Sequence, residues 1–177
     1  QAAAEFAANK DQRSRSADML LGTAMDNYIQ SRESILSPRT IMDYKRIRRT
    51  SLQSLMNIRL SRITQEDIQI AINLESVNHS PKTVRNSHGL LSAVLKQYRP
   101  DFALNTSLPK KQRVELYIPT DEEVKRLIRA SEGTEMELPI LLAAFGPMRR
   151  GEICALDSTD ISGNIVHVSK NMVRTEY

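Results

Sequence analysis

Along the first hundred positions apolar residues recur at the three- and four-residue spacing of amphipathic helices, and polar start signals cut the pattern into separate elements. Over 16–31, Met19, Leu20, Ala24, Tyr28 and Ile29 share one helical face. A second helix is predicted from Ser37-Pro38. A serine hydroxyl accepts the free N–H groups of a first turn, and a proline at the first helical position has helical φ and no N–H to leave bare. Its apolar stripe is Ile41, Tyr44 and Ile47, extended by Leu52 and Leu55. A third helix opens at Thr64-Gln65-Glu66-Asp67, which has capping-box character, and carries Ile68, Ala71 and Ile72. The fourth repeats the Ser-Pro start at Ser80-Pro81. Val84, His88, Leu91, Leu95 and Tyr98 follow at helical spacing, and Pro100 stops it. Residues 16–100 therefore read as a compact four-helix unit.

The pattern then changes. Asn105, Thr106, Ser107, Pro109 and the basic run Lys110-Lys111-Gln112-Arg113 mark 101–118 as a linker, with 1–15 as a tail before the first unit. A second region opens at Pro119 with the capping box Thr120-Asp121-Glu122-Glu123, whose acids suit the positive end of a helix dipole. Val124, Leu127 and Ile128 form the expected buried face, and Gly133 the stop. An apolar helix over 137–146, a short helix over 149–156 and a strand over 164–168, entered through Ser162-Gly163, complete the reading.

Composition narrows this picture. Hydrophobic residues make up 40% of 177, enough for a core, but aromatics are 5% and Trp is absent, so the core is aliphatic. No apolar run reaches the roughly 18 residues of a membrane span, and no signal peptide opens the chain. The first residue is Gln1, as expected of a piece of a longer product or a processed chain. Cys154 is the single cysteine, so neither an internal disulfide nor a cysteine-based zinc site is available. It reads as a small core residue, and the usage fits a cytoplasmic protein. His79, His88 and His167 form no ligand cluster and no His-x-x-Arg pair, so no metal or cofactor is expected; His88 reads as a satisfied, half-buried side chain.

Charge divides where the pattern does. Residues 1–118 hold 18 Lys and Arg against 11 Asp and Glu, whereas 119–177 hold 7 against 10. The first part is suited to a polyanion, or simply has a solvated basic surface. Segment 37–49 carries Arg39, Lys45, Arg46, Arg48 and Arg49 against Asp43, and 80–99 carries Lys82, Arg85, Lys96 and Arg99 without an acid.

The most informative stretch is Gly146-Pro147-Met148-Arg149-Arg150-Gly151-Glu152-Ile153-Cys154-Ala155-Leu156. An arginine at such a helix junction can fork onto a phosphate and stays charged at any working pH, and a Glu one turn later can orient it. On spacing alone the same residues describe a surface Arg–Glu pair. The order of capping-box helix, apolar helix, this motif, Asp160-Ile161 and then a strand resembles the opening of the catalytic domain of tyrosine recombinases of the phage-integrase type. The resemblance covers 119 to about 170, with Pro147 where the family normally has Gly.

That resemblance implies a mainly α protein: a four-helix, SAM-like core-binding domain over 16–100, then a truncated α+β catalytic domain over 119–177. It makes Arg149 the first catalytic arginine and Glu152 its supporting acid, with Arg150 at a variable position. Ser-Pro-x-Thr and Ser-Pro-Lys-Thr-Val-x-Asn resemble the family's DNA-facing helix starts. The residues expected on DNA are Arg39, Thr40, Lys45, Arg46, Arg49, Lys82, Thr83, Arg85, Asn86, Lys110 and Lys111. The implied partners are double-stranded DNA and further copies of the chain, four in a synaptic complex. The implied activity is integration or excision of a mobile element.

A later hairpin lysine, a His-x-x-Arg pair and a nucleophilic tyrosine complete the family's chemistry, and none is found in these residues. Tyr177 comes too early in the order to be that nucleophile, and Lys170 ends the first strand where the family lysine sits on the next hairpin. The stretch alone is expected to bind DNA without cutting it. Rival readings are a non-catalytic DNA-binding regulator on the helical domain, a helical module for an acidic protein partner, and a type IB topoisomerase. A truncated sheet leaves an open edge, so 119–177 is expected to be less stable than 16–100 or covered by a partner copy.

Overall fold

A computed structural model describes residues 18–111 and 115–174. The chain is mainly helical, with seven α-helices and one two-stranded sheet among the described residues. It divides into two compact units, Gln1–Arg113 and Val114–Tyr177.

In the first unit α1 is Leu21–Gln30, α2 Pro38–Thr50, α3 Gln65–Asn78 and α4 Pro81–Tyr98. Three of the four starts follow from local chemistry. Ser37 and Ser80 each cap an N-terminal turn with proline behind them, and Thr64 and Asp67 close a reciprocal capping box. The start of α1 does not. A helix was expected from 16, but residues 1–17 lie outside the described residues and 18–20 are not helical. Here the backbone bonds to 58–60 instead: Leu60 N–H donates to Met19 O (2.8 Å) and Leu21 N–H to Ile58 O (3.0 Å). Leu20, expected on the buried face, is 39% exposed.

The second correction lies beyond α2. Leu52 and Leu55 do not continue its stripe, because the helix ends at Thr50 and Leu52 adopts a left-handed conformation (φ 55°). A leucine there costs about 1–2 kcal/mol. The Glu75 carboxylate compensates by accepting the Leu52 N–H (2.9 Å), and the chain continues as a 3-10 turn over Gln53–Leu55. Both leucines are buried all the same.

The core is aliphatic, as composition requires. Leu21, Met25, Leu52, Leu55, Leu60, Ile63, Ile68, Ile72, Val84, Leu90, Leu91 and Leu95 are all under 2% exposed. Each contributes roughly 1.5–3 kcal/mol by leaving water. α4 buries Val84, Leu91 and Leu95 as predicted and adds Ser87, Leu90 and Val94, while His88 and Tyr98 are half-buried.

Residues 101–111 are not a free linker. They run extended along α3, whose glutamines act as a backbone partner: Gln65 Oε1 accepts Asn105 N–H (3.1 Å), and Gln69 both accepts Ser107 N–H (2.9 Å) and donates to Ser107 O (3.1 Å). Phe102, Leu104 and Leu108 turn inward against the core. Their even spacing is the period of an extended chain.

In the second unit α5 is Asp121–Ser131, α6 Glu137–Phe145 and α7 Arg150–Ile153; β1 (Ile161–Ser162) and β2 (Ile165–Val166) form an antiparallel hairpin. The expected single strand over 164–168 is thus a hairpin, with Gly163 (φ 60°) in its turn and Val168 beyond it. The short helix expected over 149–156 spans only four residues. The expected face of α5 is not buried: Leu127 is 54% exposed, and Val124 and Ile128 are half-exposed. Cys154, expected in a core, is exposed. Two strands of two residues cannot cover the helices, and Ser131 is the one buried residue among those described in this unit.

Candidate nucleic-acid interface

The two Ser-Pro-basic-Thr starts are built alike. Ser37 Oγ accepts Thr40 N–H (3.2 Å) and its hydroxyl meets that of Thr40 at 2.9 Å. Ser80 Oγ accepts Thr83 N–H (3.3 Å) and its hydroxyl meets that of Thr83 at 3.0 Å. Both turns open on one cleft of about 650 Å³. Thr40, Asp43, Tyr44, Ile47 and Thr50 run along its α2 side at helical spacing, joined by Arg46. Thr83, Arg85, Asn86, Gly89 and Leu90 run along its α4 side, and Ser51 and His79 complete the wall.

The cleft is polar and unevenly charged. Asp43 sits between Arg39 and Arg46, 3.3 Å from each, so the three side chains retain one positive charge. Arg85 donates to Pro109 O (2.9 Å), which ties the extended segment to α4 and steadies the guanidinium at the rim. The Nδ1 atom of His79 lies 3.5 Å from Glu75 Oε2.

Of the eleven residues expected on DNA, the structure brings Thr40, Arg46, Thr83, Arg85 and Asn86 together in this cleft. Arg39 and Lys82, second residues of their helices, are exposed beside it. Arg49 is exposed but not part of the lining. Lys45 pairs with Glu33 in a different depression, shared with Asp26, Ile29, Gln30 and Arg48. Lys110 and Lys111 are exposed at the end of the extended segment, and Arg113 lies outside the described residues.

Two other basic residues serve the fold. Arg48 bonds Gly22 O (3.1 Å) and Asp26 (3.0 Å), and Arg99 bonds Ile63 O (2.8 Å) with its guanidinium over Phe102. His88 is half-buried, but the expected satisfaction is missing: Nε2 has no hydrogen-bond partner. Burial, and then the nearby Arg85 charge, hold this imidazole below its ordinary pKa.

Sequence reasoning missed Thr50, Ser51, His79 and Gly89 as cleft residues. Thr50 could have been found by following the Thr40 ridge along α2. His79 and Ser51 could not, because each stands outside its helix and is placed by the turn that follows.

In the second unit Arg149 is the residue before α7. Glu152 uses both oxygens on it: Oε2 accepts the Arg149 N–H (2.8 Å) and Oε1 a guanidinium N–H (3.0 Å). These bonds, the backbone one first, hold the Glu152 carboxyl below its ordinary range. The Arg149 side chain is 85% exposed, so an aimed guanidinium faces solvent. Gly151 lets the returning chain lie against α7: a Cβ there would meet Asn171 Oδ1 at 2.2 Å, and Met172 N–H donates to Gly151 O (2.8 Å). Lys170 bonds Asp160 (2.7 Å), which raises the lysine pKa and lowers that of the carboxyl. Tyr177 lies outside the described residues.

Among the described residues no group of His, Cys, Asp and Glu is arranged to hold a metal ion, and no helix is long and apolar enough to cross a membrane. Comparison with protein-family models, curated proteins and solved structures finds no match to the chain.

Proposed function

We propose that this chain is the DNA-binding and first-arginine portion of a tyrosine-type site-specific recombinase, acting on double-stranded DNA to integrate or excise a mobile element. One observation carries the proposal: two helix starts of the same Ser-Pro-basic-Thr design, forty-three residues apart, meet at one polar cleft. Two positive helix ends, two threonine hydroxyls, an asparagine amide and two guanidiniums suit the sugar-phosphate backbone. α2 and α4 position the duplex, and the Asn86 amide is suited to a base edge.

Arg149 has the second role. Its guanidinium, aimed by Glu152, neutralises a phosphate oxygen as negative charge builds in the transition state. Because Glu152 remains a carboxylate, the orientation persists across the working pH range. Attack on that phosphate needs a nucleophile and a proton donor from the parent enzyme, so the 177 residues bind DNA and do not cleave it. The parent works as copies assembled on paired sites, with no metal or cofactor.

The test is fluorescence anisotropy of a labelled duplex across a salt series. With six phosphates contacted, log K falls against log salt with a slope of about −5. Arg46→Ala/Arg85→Ala weakens binding and makes the slope shallower by about 2. Arg149→Ala leaves ground-state affinity nearly unchanged. Absence of duplex binding at low salt removes the proposal and favours a module for an acidic protein partner.

A further inference from the structure

We infer that Gly89 is where a nucleic-acid strand comes closest to the protein backbone, and that a side chain there is excluded by the ligand and not by the fold. The inference rests on the nucleic-acid reading of the cleft. Gly89 is mid-helix in α4, nine residues after the Ser80 cap, so it neither starts nor stops the helix. It is not among the glycines with positive φ, so the backbone does not require glycine. A Cβ built on it meets nothing within 4 Å, so packing does not require it either. Glycine is nonetheless the poorest helix former after proline, and α4 contributes Val84, Leu90, Leu91, Val94 and Leu95 to the core of this unit. Nothing within the described chain accounts for a bare backbone at this point, and Gly89 lines the cleft.

Helix geometry says what a side chain would do. A Cβ tilts toward the helix N-terminus, so a residue covers the turn before its own Cα. At position 89 that turn carries Arg85 and Asn86, four and three residues back, which the cleft presents to its ligand. A methyl would fill the open space above the Cα, and a longer side chain would lie over them. The bare Cα instead leaves a shelf against which a deoxyribose can pack while Arg85 reaches its phosphate.

The experiment compares the full chain with Gly89→Ala and Gly89→Gln, reading thermal melting by circular dichroism and duplex affinity by anisotropy. Gly89→Ala is expected to raise Tm by about 4 °C, since helix propensity improves with no clash. The same change weakens duplex binding by about fivefold, and Gly89→Gln by about fiftyfold, corresponding to about 1 and 2.3 kcal/mol. Opposite signs in the two readouts support the inference. If the wild type binds duplex and Gly89→Gln binds it equally well, the inference falls and the cleft reading stands. If Gly89→Ala melts below the wild type, the fold itself needs the glycine and the inference falls. If the wild type binds no duplex, the cleft reading falls and takes the inference with it.

Discussion

The two units make their helices with the same start signals and finish them differently. Thr64 with Asp67 before α3, and Thr120 with Glu123 before α5, form equivalent capping boxes. Behind the first, Ile68, Ala71 and Ile72 enter a core of side chains almost wholly removed from water. Behind the second, Leu127 remains 54% exposed and Ser131 is the only buried residue of the helix. A cap decides where a helix begins; burial of an apolar face supplies most of its stability. The first unit holds a cleft on a buried core, whereas the second presents Arg149 at the start of a four-residue helix tied down by hydrogen bonds.

The contrast is broken most directly in the core. Leu91→Ala is expected to cost about 2–5 kcal/mol in urea unfolding of the first unit, because Leu91 is fully buried. Leu127→Ala is expected to stay within about 0.5 kcal/mol. Comparable costs at the two sites would mean that the face of α5 is covered in solution.

The caps come next. Thr120→Ala and Thr64→Ala each remove a bond worth about 1 kcal/mol. Hydrogen exchange should show the amides of α5 opening widely in the first variant and those of α3 barely changing in the second, since only α3 has a core to fall back on. Equal responses would put the two helices on the same footing.

The smallest effect is the response to acid, which separates the units by pH range. Burial keeps His88 below its ordinary 6.5, so its neutral form belongs to the folded state. The associated stability is complete above 6.5 and is lost as pH falls from there toward the folded value. In the second unit Glu123 is held below 4.5, chiefly by the Tyr117 hydroxyl and then by Thr120, and Glu152 is held below 4.5 by Arg149. Their contributions are present above 4.5 and are lost only as pH falls below it. Urea midpoints followed downward from neutral pH should therefore shift first in the first unit, and His88→Gln should abolish that early phase. An early phase that survives the substitution assigns it to another group.

Much of this was legible in advance, and for identifiable reasons. The starts of α2, α3, α4 and α5 depend on bonds between residues three apart, as in Ser37 with Thr40 and Thr120 with Glu123. The aliphatic core follows from composition and from the helical spacing of Ile68, Ala71, Ile72, Val84, Leu91 and Leu95. The same locality explains Glu152 on Arg149, one turn apart. The start of α1 is not legible locally because the backbone partners of Met19 and Leu21 lie nearly forty residues away, at Leu60 and Ile58. The extended course of 102–108 looks like a linker in sequence because polar turn residues mask the alternation of Phe102, Leu104 and Leu108.

By itself, then, the order of residues determined where helices begin, what fills the core, and which arginine carries an acid one turn later. Those depend on contacts within a turn and on average burial, and both are written into short windows of chain. Tertiary structure alone decided that Thr40 and Thr83 share a cleft, that Lys45 turns away to Glu33, and that the bare backbone of Gly89 lines that cleft uncovered by any neighbour. Which ridges of α2 and α4 face the cleft is set by the whole aliphatic core packing at once, and no local window contains that sum.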